Sequence, residues 1–270
     1  MSWTSPDNWH NGHVPTPTTL AVANQKGGVG KTTTVASLGA ALLERGARVL
    51  LVDLDPQAGL TFSLGIDPED LEVTVADVLL GKAQTDDAIV VVDDGMHLLP
   101  ANIGLTHTEE VLATRTGREQ RLRVALDKVA DDYDWILIDC PPTLGVLTVG
   151  ALSAATQLLI PLQCETLSHR GVGQLLDTVH DVKQFINPQL DIVGVLPTMY
   201  DGRTNHARAV IAAIQETYEL PIIEPAIPKS IKFAEAPAIG RTILGTAKSH
   251  KGAAAYRDVA GHLLSRVTEA

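Results

Sequence analysis

Residues 24–34 read NQKGGVGKTTT. Gly27, Gly28 and Gly30 let the backbone come close to a ligand, so that consecutive N–H groups converge on one anion. If a helix opens directly after the loop, its unpaired N–H groups and its dipole add to the attraction. The stretch nearly fits the phosphate-binding pattern G-x-x-x-x-G-K-[ST], in which the lysine meets the β- and γ-phosphates of a nucleotide and the hydroxyl ligates Mg²⁺. Lys31 and Thr32 take those two places, and the backbone of Gly27, Gly28, Val29, Gly30 and Thr33 completes the cradle. The first glycine of the pattern is replaced by Gln25, and a second lysine, Lys26, follows it. Lys26 lies too early in the loop for the usual lysine role. It projects either across the phosphates or away from its own subunit. The second geometry has a use: it reaches a nucleotide held by a partner subunit and stabilises charge there, as an arginine finger does in trans.

Phosphoryl transfer also needs acidic groups to hold Mg²⁺ and a residue to place the attacking water. VLLVDLDPQ (49–57) carries Asp53 and Asp55, and WILIDCPP (135–142) carries Asp139. Each follows a run of apolar residues. Carboxylates at the C-terminal ends of parallel strands face the crevice where open α/β sheets bind ligands. An aspartate that merely caps the next turn is the plainer alternative for each of the three.

The elements that must position these groups are legible as an alternation. LAVAN (20–24) reads as a strand feeding the glycine loop, and residues 31–46 as a helix that Gly46 ends. Residues 48–56, 134–142, 157–163 and 191–200 are apolar on both faces, as buried parallel strands are. Helical segments fall near 119–131, 169–186 and 205–219, with a closing helix at the C-terminus. Strands separated by helix-length segments predict an α/β fold, a mostly parallel sheet with helices on both faces. With no internal repeat and no long linker, one domain is expected over 18–270. It follows a leader at 1–17 whose Pro, Asn, Gly and Thr content suggests flexibility.

Composition narrows the function classes. The 270 residues are 45% hydrophobic but only 4% aromatic, so the core must come from Ala, Val, Leu and Ile. The net charge of −11 argues against a general nucleic-acid coat, yet it is uneven. From Asp201 to Arg257 there are eight basic and five acidic residues, a local balance of +3, which leaves −14 on the rest. The two cysteines, Cys140 and Cys164, form no C-x-x-C pair and no disulfide framework, which fits a reducing cytoplasm. The start has no basic and apolar signal-peptide pattern. Residues 140–164 carry no charge, but Pro141, Pro142, Pro161, Gln157 and Gln163 divide them into turn, helix and strand rather than a membrane span.

NQKGGVGKTTT, RVLLVDLDPQ, ILIDCPP, GVLPTMYDGRTN and IPKSIKFAEAPAIG occur in this order over nearly the whole chain after the leader. Together they resemble the ParA/MinD family of deviant Walker A P-loop ATPases, and within it the chromosome- or plasmid-partitioning ParA/Soj branch. The resemblance implies an ATPase with ATP and Mg²⁺ as cofactors. It implies that Lys26 acts across a nucleotide-sandwich homodimer. It makes Asp139 a Walker B aspartate that holds Mg²⁺ with Thr32, and Asp55 the acidic switch residue that joins this metal site and positions or activates water. Asp53 supports the metal shell, and Pro228 lies by the nucleotide base. It also implies slow hydrolysis stimulated by a ParB-like partner, nonspecific binding of double-stranded DNA by the ATP dimer, and association with the nucleoid. Arg203 matches a DNA-contacting arginine of the family. Arg208, Lys229 and Lys232 are further candidates, the last two standing where relatives carry arginine, and Lys248 is another cation in the same stretch.

MinD-like members end in a basic amphipathic helix that binds membrane. Here Leu263, Leu264 and Val267 have only Arg257 and Arg266 near them, with Glu269 opposed, so the tail reads as a helix packed on the domain. Iron–sulfur carriers of the group need paired cysteine ligands, whereas Cys140 and Cys164 read as small buried residues. The alternative that stays open is a MinD-like or cargo-positioning ATPase that does not act on DNA.

Overall fold

A computed structural model describes residues 17–92, 95–164 and 168–269. The expected leader, apart from Pro17, lies outside the described residues. β1 (Thr18–Val22) feeds the glycine loop and α1 (Lys31–Leu43), and β2 (Val49–Asp53) follows. Short pieces come next: α2 (Gly59–Ser63), α3 (Val75–Leu80), α4 (Thr85–Ala88), β3 (Val90–Val91), β4 (His97–Leu99), α5 (Gly104–Ala113) and α6 (Arg121–Asp127). Then come β5 (Trp135–Asp139), α7 (Val146–Ala154), β6 (Gln157–Gln163), α8 (Ser168–Phe185), β7 (Asp191–Thr198), α9 (Asn205–Tyr218), α10 (Lys232–Glu235), α11 (Ile243–Thr246) and α12 (Lys251–Glu269).

The strands form one seven-stranded sheet in the order β3-β4-β2-β5-β1-β6-β7. Every neighbouring pair is parallel except β3 with β4. The pleat sends alternate side chains to opposite faces. Ala21, Leu50, Val52, Ile136 and Ile138 join one core, under α3, α5, α6, α7, α8 and α9. Leu20, Val22, Leu51, Trp135 and Leu137 join the other, under α1, α2, α11 and α12. Each fully buried Leu or Ile contributes roughly 1.5–3 kcal/mol relative to exposure. A sheet covered on both sides needs apolar residues at every position, which is why β2 and β5 read as unbroken runs.

The site-bearing strands end earlier than the apolar runs suggest. β2 stops at Asp53 and β5 at Asp139, and the residues beyond turn away as loops at the same sheet edge. α1 stops at Leu43, three residues before Gly46, which takes the left-handed φ of 87° that closes the turn. The tail is a helix packed on the domain, as expected, with Tyr256, Val259 and Leu263 buried against the α1 side. No helix among the described residues is long and apolar enough to cross a membrane.

Candidate functional site

The loop after β1 is held from below on both sides. Asn24, buried at the end of β1, donates from Nδ2 to the Pro161 carbonyl on β6 (2.7 Å) and accepts from the Lys26 N–H (2.9 Å). Thr198, the last residue of β7, donates to the Val29 carbonyl at 2.7 Å. Gly28 and Gly30 have φ of 71° and 87°, conformations in which any other residue is strained. Gly30 caps α1 without a side chain and there is no acidic residue in the first turn, so the N-terminal N–H groups of the helix stay available to a ligand.

Lys31 is almost fully buried, and its Nζ donates to the Lys26 carbonyl at 3.3 Å. Burial lowers the pKa of this ammonium, and the neighbouring Asp139 carboxylate works against the shift. Thr32 Oγ1 donates to Asp139 Oδ2 at 2.7 Å, while Asp139 Oδ1 is buried with no partner among the described residues. Asp53 pairs with Asp139 across β2 and β5. It is fully buried and accepts from the Thr61 N–H, the Thr61 hydroxyl and the Asp55 N–H at 2.9, 2.8 and 3.1 Å. Even so, burial pushes Asp53 up to about 6. Burial and the Asp53 charge push Asp139 well above the usual carboxylate range.

Two adjacent buried carboxylates, a hydroxyl and an orphaned oxygen fit a hard divalent cation. No cage of three His, Cys, Asp or Glu side chains is gathered among the described residues. An ion such as Mg²⁺ keeps several waters and is commonly held by one or two carboxylates together with substrate phosphates. Asp55 lies within electrostatic reach of both Lys31 and Asp139. It is half-buried, and its Oδ1 accepts from the Gln57 N–H at 2.9 Å.

A cavity of about 260 Å³ opens beside the loop, lined among others by Thr32, Thr33, Ser37, Phe62, Phe233 and Arg241. Pro228 is not in its wall; it forms a bridge with Tyr200, just past the end of β7. Both cysteines agree with a packing role. Cys140 is buried and its thiol is pushed far above the usual range, and Cys164 is pushed up to about 11 by burial.

The candidate phosphate-contacting cations lie on the β7–α12 side. Arg203 grips Asp201 with Nε and Nη2 at 2.9 and 2.8 Å and holds that carboxylate down at about 2. Arg208 donates to Asn205, and Lys232 pairs with Glu235 at 2.7 Å. Lys229 and Lys248 are exposed. The Tyr200–Pro228 bridge joins the 200–208 loop to the 229–232 segment, and Lys251 at the start of α12 lies within electrostatic reach of Asp201. Asn24, Thr61 and Thr198 also support the site; of these only Asn24 lies inside the glycine-loop motif.

A glycine loop at a helix N-terminus, a buried lysine and a hydrogen bond from Thr32 in the first turn of α1 to Asp139 at the end of β5 define a P-loop NTPase. Residues 17–192 match the AAA domain family AAA_31. Soj, the sporulation initiation inhibitor protein of Bacillus subtilis, is 43% identical over 89% of this chain and 96% of its own length. The chromosome partitioning protein ParA of Caulobacter vibrioides is 40% identical over 92% and 94%. A Mycobacterium smegmatis structure described as cobyrinic acid a,c-diamide synthase with bound ADP and magnesium is 53% identical. It covers 93% of this chain and 96% of that one with a TM-score of 0.85. The chain belongs to the AAA_31 family and, within it, to the deviant Walker A group of ParA and Soj.

Proposed function

We propose that the protein is an ATP-hydrolysing partition switch: it closes into a homodimer around ATP, holds double-stranded DNA without regard to sequence in that state, and lets go after hydrolysis stimulated by a ParB-like partner. The observation that carries the ATPase reading is the Thr32–Asp139 pair with its orphaned Oδ1, set directly behind the Lys31 loop. Its support comes from the ParA and Soj relatives, and from neighbours solved with ADP or ATP, among them an ATP complex of a Cyanothece McdA variant at 27% identity and a TM-score of 0.84.

The loop N–H groups and Lys31 bind the phosphates, and burial keeps water from screening the lysine. Thr32 and Asp139 would hold Mg²⁺, which would supply charge neutralisation to the nucleotide phosphates. Asp55 orients the water that attacks in line, and Lys26 of the other subunit stabilises the charge that develops. Asp53, with three donors on it, fixes α2 through Thr61 and keeps the Asp55 backbone in place.

The proton affinity of the Asp53–Asp139 pair makes this cation site pH-dependent. A carboxylate whose pKa is raised in the empty fold keeps its proton at mildly acid pH, and a cation must displace it. Mg²⁺-dependent ATP binding should therefore weaken as pH falls through about 6 and should release protons near that pH. Calorimetry in buffers of different ionisation heat measures this release; a heat independent of the buffer sinks the assignment.

DNA binding should require ATP, because only the dimer joins two basic faces on a chain of net charge −11. The cations form no recognition helix, and phosphate contacts carry no direct sequence information. Arg203→Glu should lower affinity for unrelated duplexes alike, by about tenfold near 0.1 M salt, and flatten the salt dependence by about one phosphate per subunit. Gel shifts at several salt concentrations, with ATP and with ADP, test it. No binding by the ATP dimer even at low salt would hand the site to cargo positioning on another surface.

The name of the M. smegmatis protein points to a second reading, an ATP-driven amide synthesis. A glutamine-derived nitrogen is commonly freed by a reactive thiolate, and both thiols here are pushed up by burial and lie far from that state. ATP turnover that rises with DNA and partner, and not with cobyrinic acid plus glutamine or ammonium, decides for partition.

A further inference from the structure

We propose that Asn24 is the positioning residue for Lys26, a role that rests on the trans action of Lys26 proposed above. The Lys26 peptide is held at both ends. Its N–H donates to Asn24 Oδ1 at 2.9 Å, and its carbonyl accepts from Lys31 Nζ at 3.3 Å. These two holds have different fates. Lys31 is the residue that turns to the β- and γ-phosphates when nucleotide binds, which draws it away from the Lys26 carbonyl. Asn24 has no such second task and keeps its grip in the bound state.

The anchor behind Asn24 is part of the sheet. Pairing between β1 and β6 ends at Val22 with Leu159, and Ala23 donates once more to the Leu159 carbonyl. Two residues further along β6 stands Pro161, which has no N–H to offer. Its carbonyl is taken by Asn24 Nδ2 at 2.7 Å in a buried contact. One side-chain amide thus continues the strand pairing with its donor and sets the direction of the loop with its acceptor. Only a residue with both groups does this: Asp has no donor for Pro161, and Ala has neither group. The backbone at 25 and 26 is thereby fixed before Gly27 and Gly28 introduce freedom, and with it the point from which the Lys26 side chain starts.

The test compares wild type, Lys26→Ala, Asn24→Ala and the double variant in three measurements on the full chain. These are calorimetric ATP·Mg²⁺ affinity, ATP-dependent association by light scattering, and ATP turnover. Asn24→Ala should bind ATP within about threefold of wild type, because Lys31, Thr32 and Asp139 are untouched. It should lose about tenfold in turnover and in dimer yield, the fold-change that follows from one misdirected buried contact. Added to Lys26→Ala it should cost nothing further, since there is no longer a lysine to aim. Asn24→Ser keeps an acceptor for the N–H two residues on, should recover part of the loss, and carries the same comparison if the alanine variant does not fold. Turnover and dimerisation at wild-type level in Asn24→Ala, beside a defective Lys26→Ala, overturn the proposal. So does an equal fall of ATP affinity and turnover, or a further loss in the double variant, each of which marks Asn24 as general scaffold. A Lys26→Ala protein that behaves as wild type overturns the underlying reading instead, and that single variant shows it alone.

Discussion

Lys31→Ala is expected to lose tight ATP binding altogether. The lysine is buried beneath the loop, and its Nζ donates to a main-chain carbonyl at 3.3 Å, a modest partner for a charge. Desolvation lowers its pKa, so the charged ammonium gains from an anion beside it. Phosphate oxygens then supply the charge-assisted bonds the site lacks. Truncating one member of such a desolvated pair costs on the order of 2–5 kcal/mol, or about 30- to 4000-fold in Kd. The fold should survive, because the change removes a charge whose burial is itself unfavourable and Gly30 needs no side chain of residue 31 to start the helix. Calorimetric titration with ATP·Mg²⁺ measures the loss. Affinity within a few fold of wild type would mean that the phosphates lie elsewhere.

Asp55→Ala should separate binding from chemistry. Its backbone N–H donates to Asp53, and alanine keeps that bond. The hydrogen bond from Thr32 to Asp139, the pair proposed to hold Mg²⁺, does not use the Asp55 side chain. What disappears is a half-buried carboxylate that accepts from the Gln57 N–H and lies within electrostatic reach of Lys31 and Asp139. Loss of a positioned general base or water-orienting group typically costs about 10²–10⁴ in rate. ATP affinity should stay within a few fold, and an ATP-bound dimer should accumulate on size-exclusion chromatography. Unchanged phosphate release would shift the role to another group, with Asp53 next to be examined.

The long elements were legible because a sheet covered on both faces writes itself as unbroken apolar runs; β6 falls at residues 157–163, where the sequence places it. The region from Ala58 to Gly117 was not. β3 and β4 have two and three residues, too few for a period to show. α2 owes its place to Thr61 bonding Asp53 and Ala101, contacts over 8 and 40 residues that no local pattern reveals. At the site, Thr32, Lys31 and the strand-end aspartates were visible from residue type and spacing, and the structure brings Thr32, Asp53 and Asp139 together. The raised proton affinity of Asp53 and Asp139 was hidden, because it comes chiefly from their burial in the folded protein, with the Asp53 charge beside Asp139 adding to it. The basic residues were visible as types only. That Arg203 is already gripped by Asp201 emerges from side-chain geometry.

The packing of α12 on α1 bears on how the protein is made. Thr34 in the first turns of α1 shares a buried hydrogen bond with Tyr256, 222 residues later, at 3.0 Å, and the same tyrosine meets Phe233 edge-on. The P-loop helix leaves the ribosome early, yet one of its apolar faces is covered by Tyr256, Val259 and Leu263. At about 5–20 residues per second that cover arrives on the order of 10–40 s afterwards. During this interval Val35, Leu38 and Leu42 can pack on the strand residues Leu20, Leu51 and Leu137, but the α12 part of their core is missing. The core over the loop helix is thus completed only when the last element of the chain has been made.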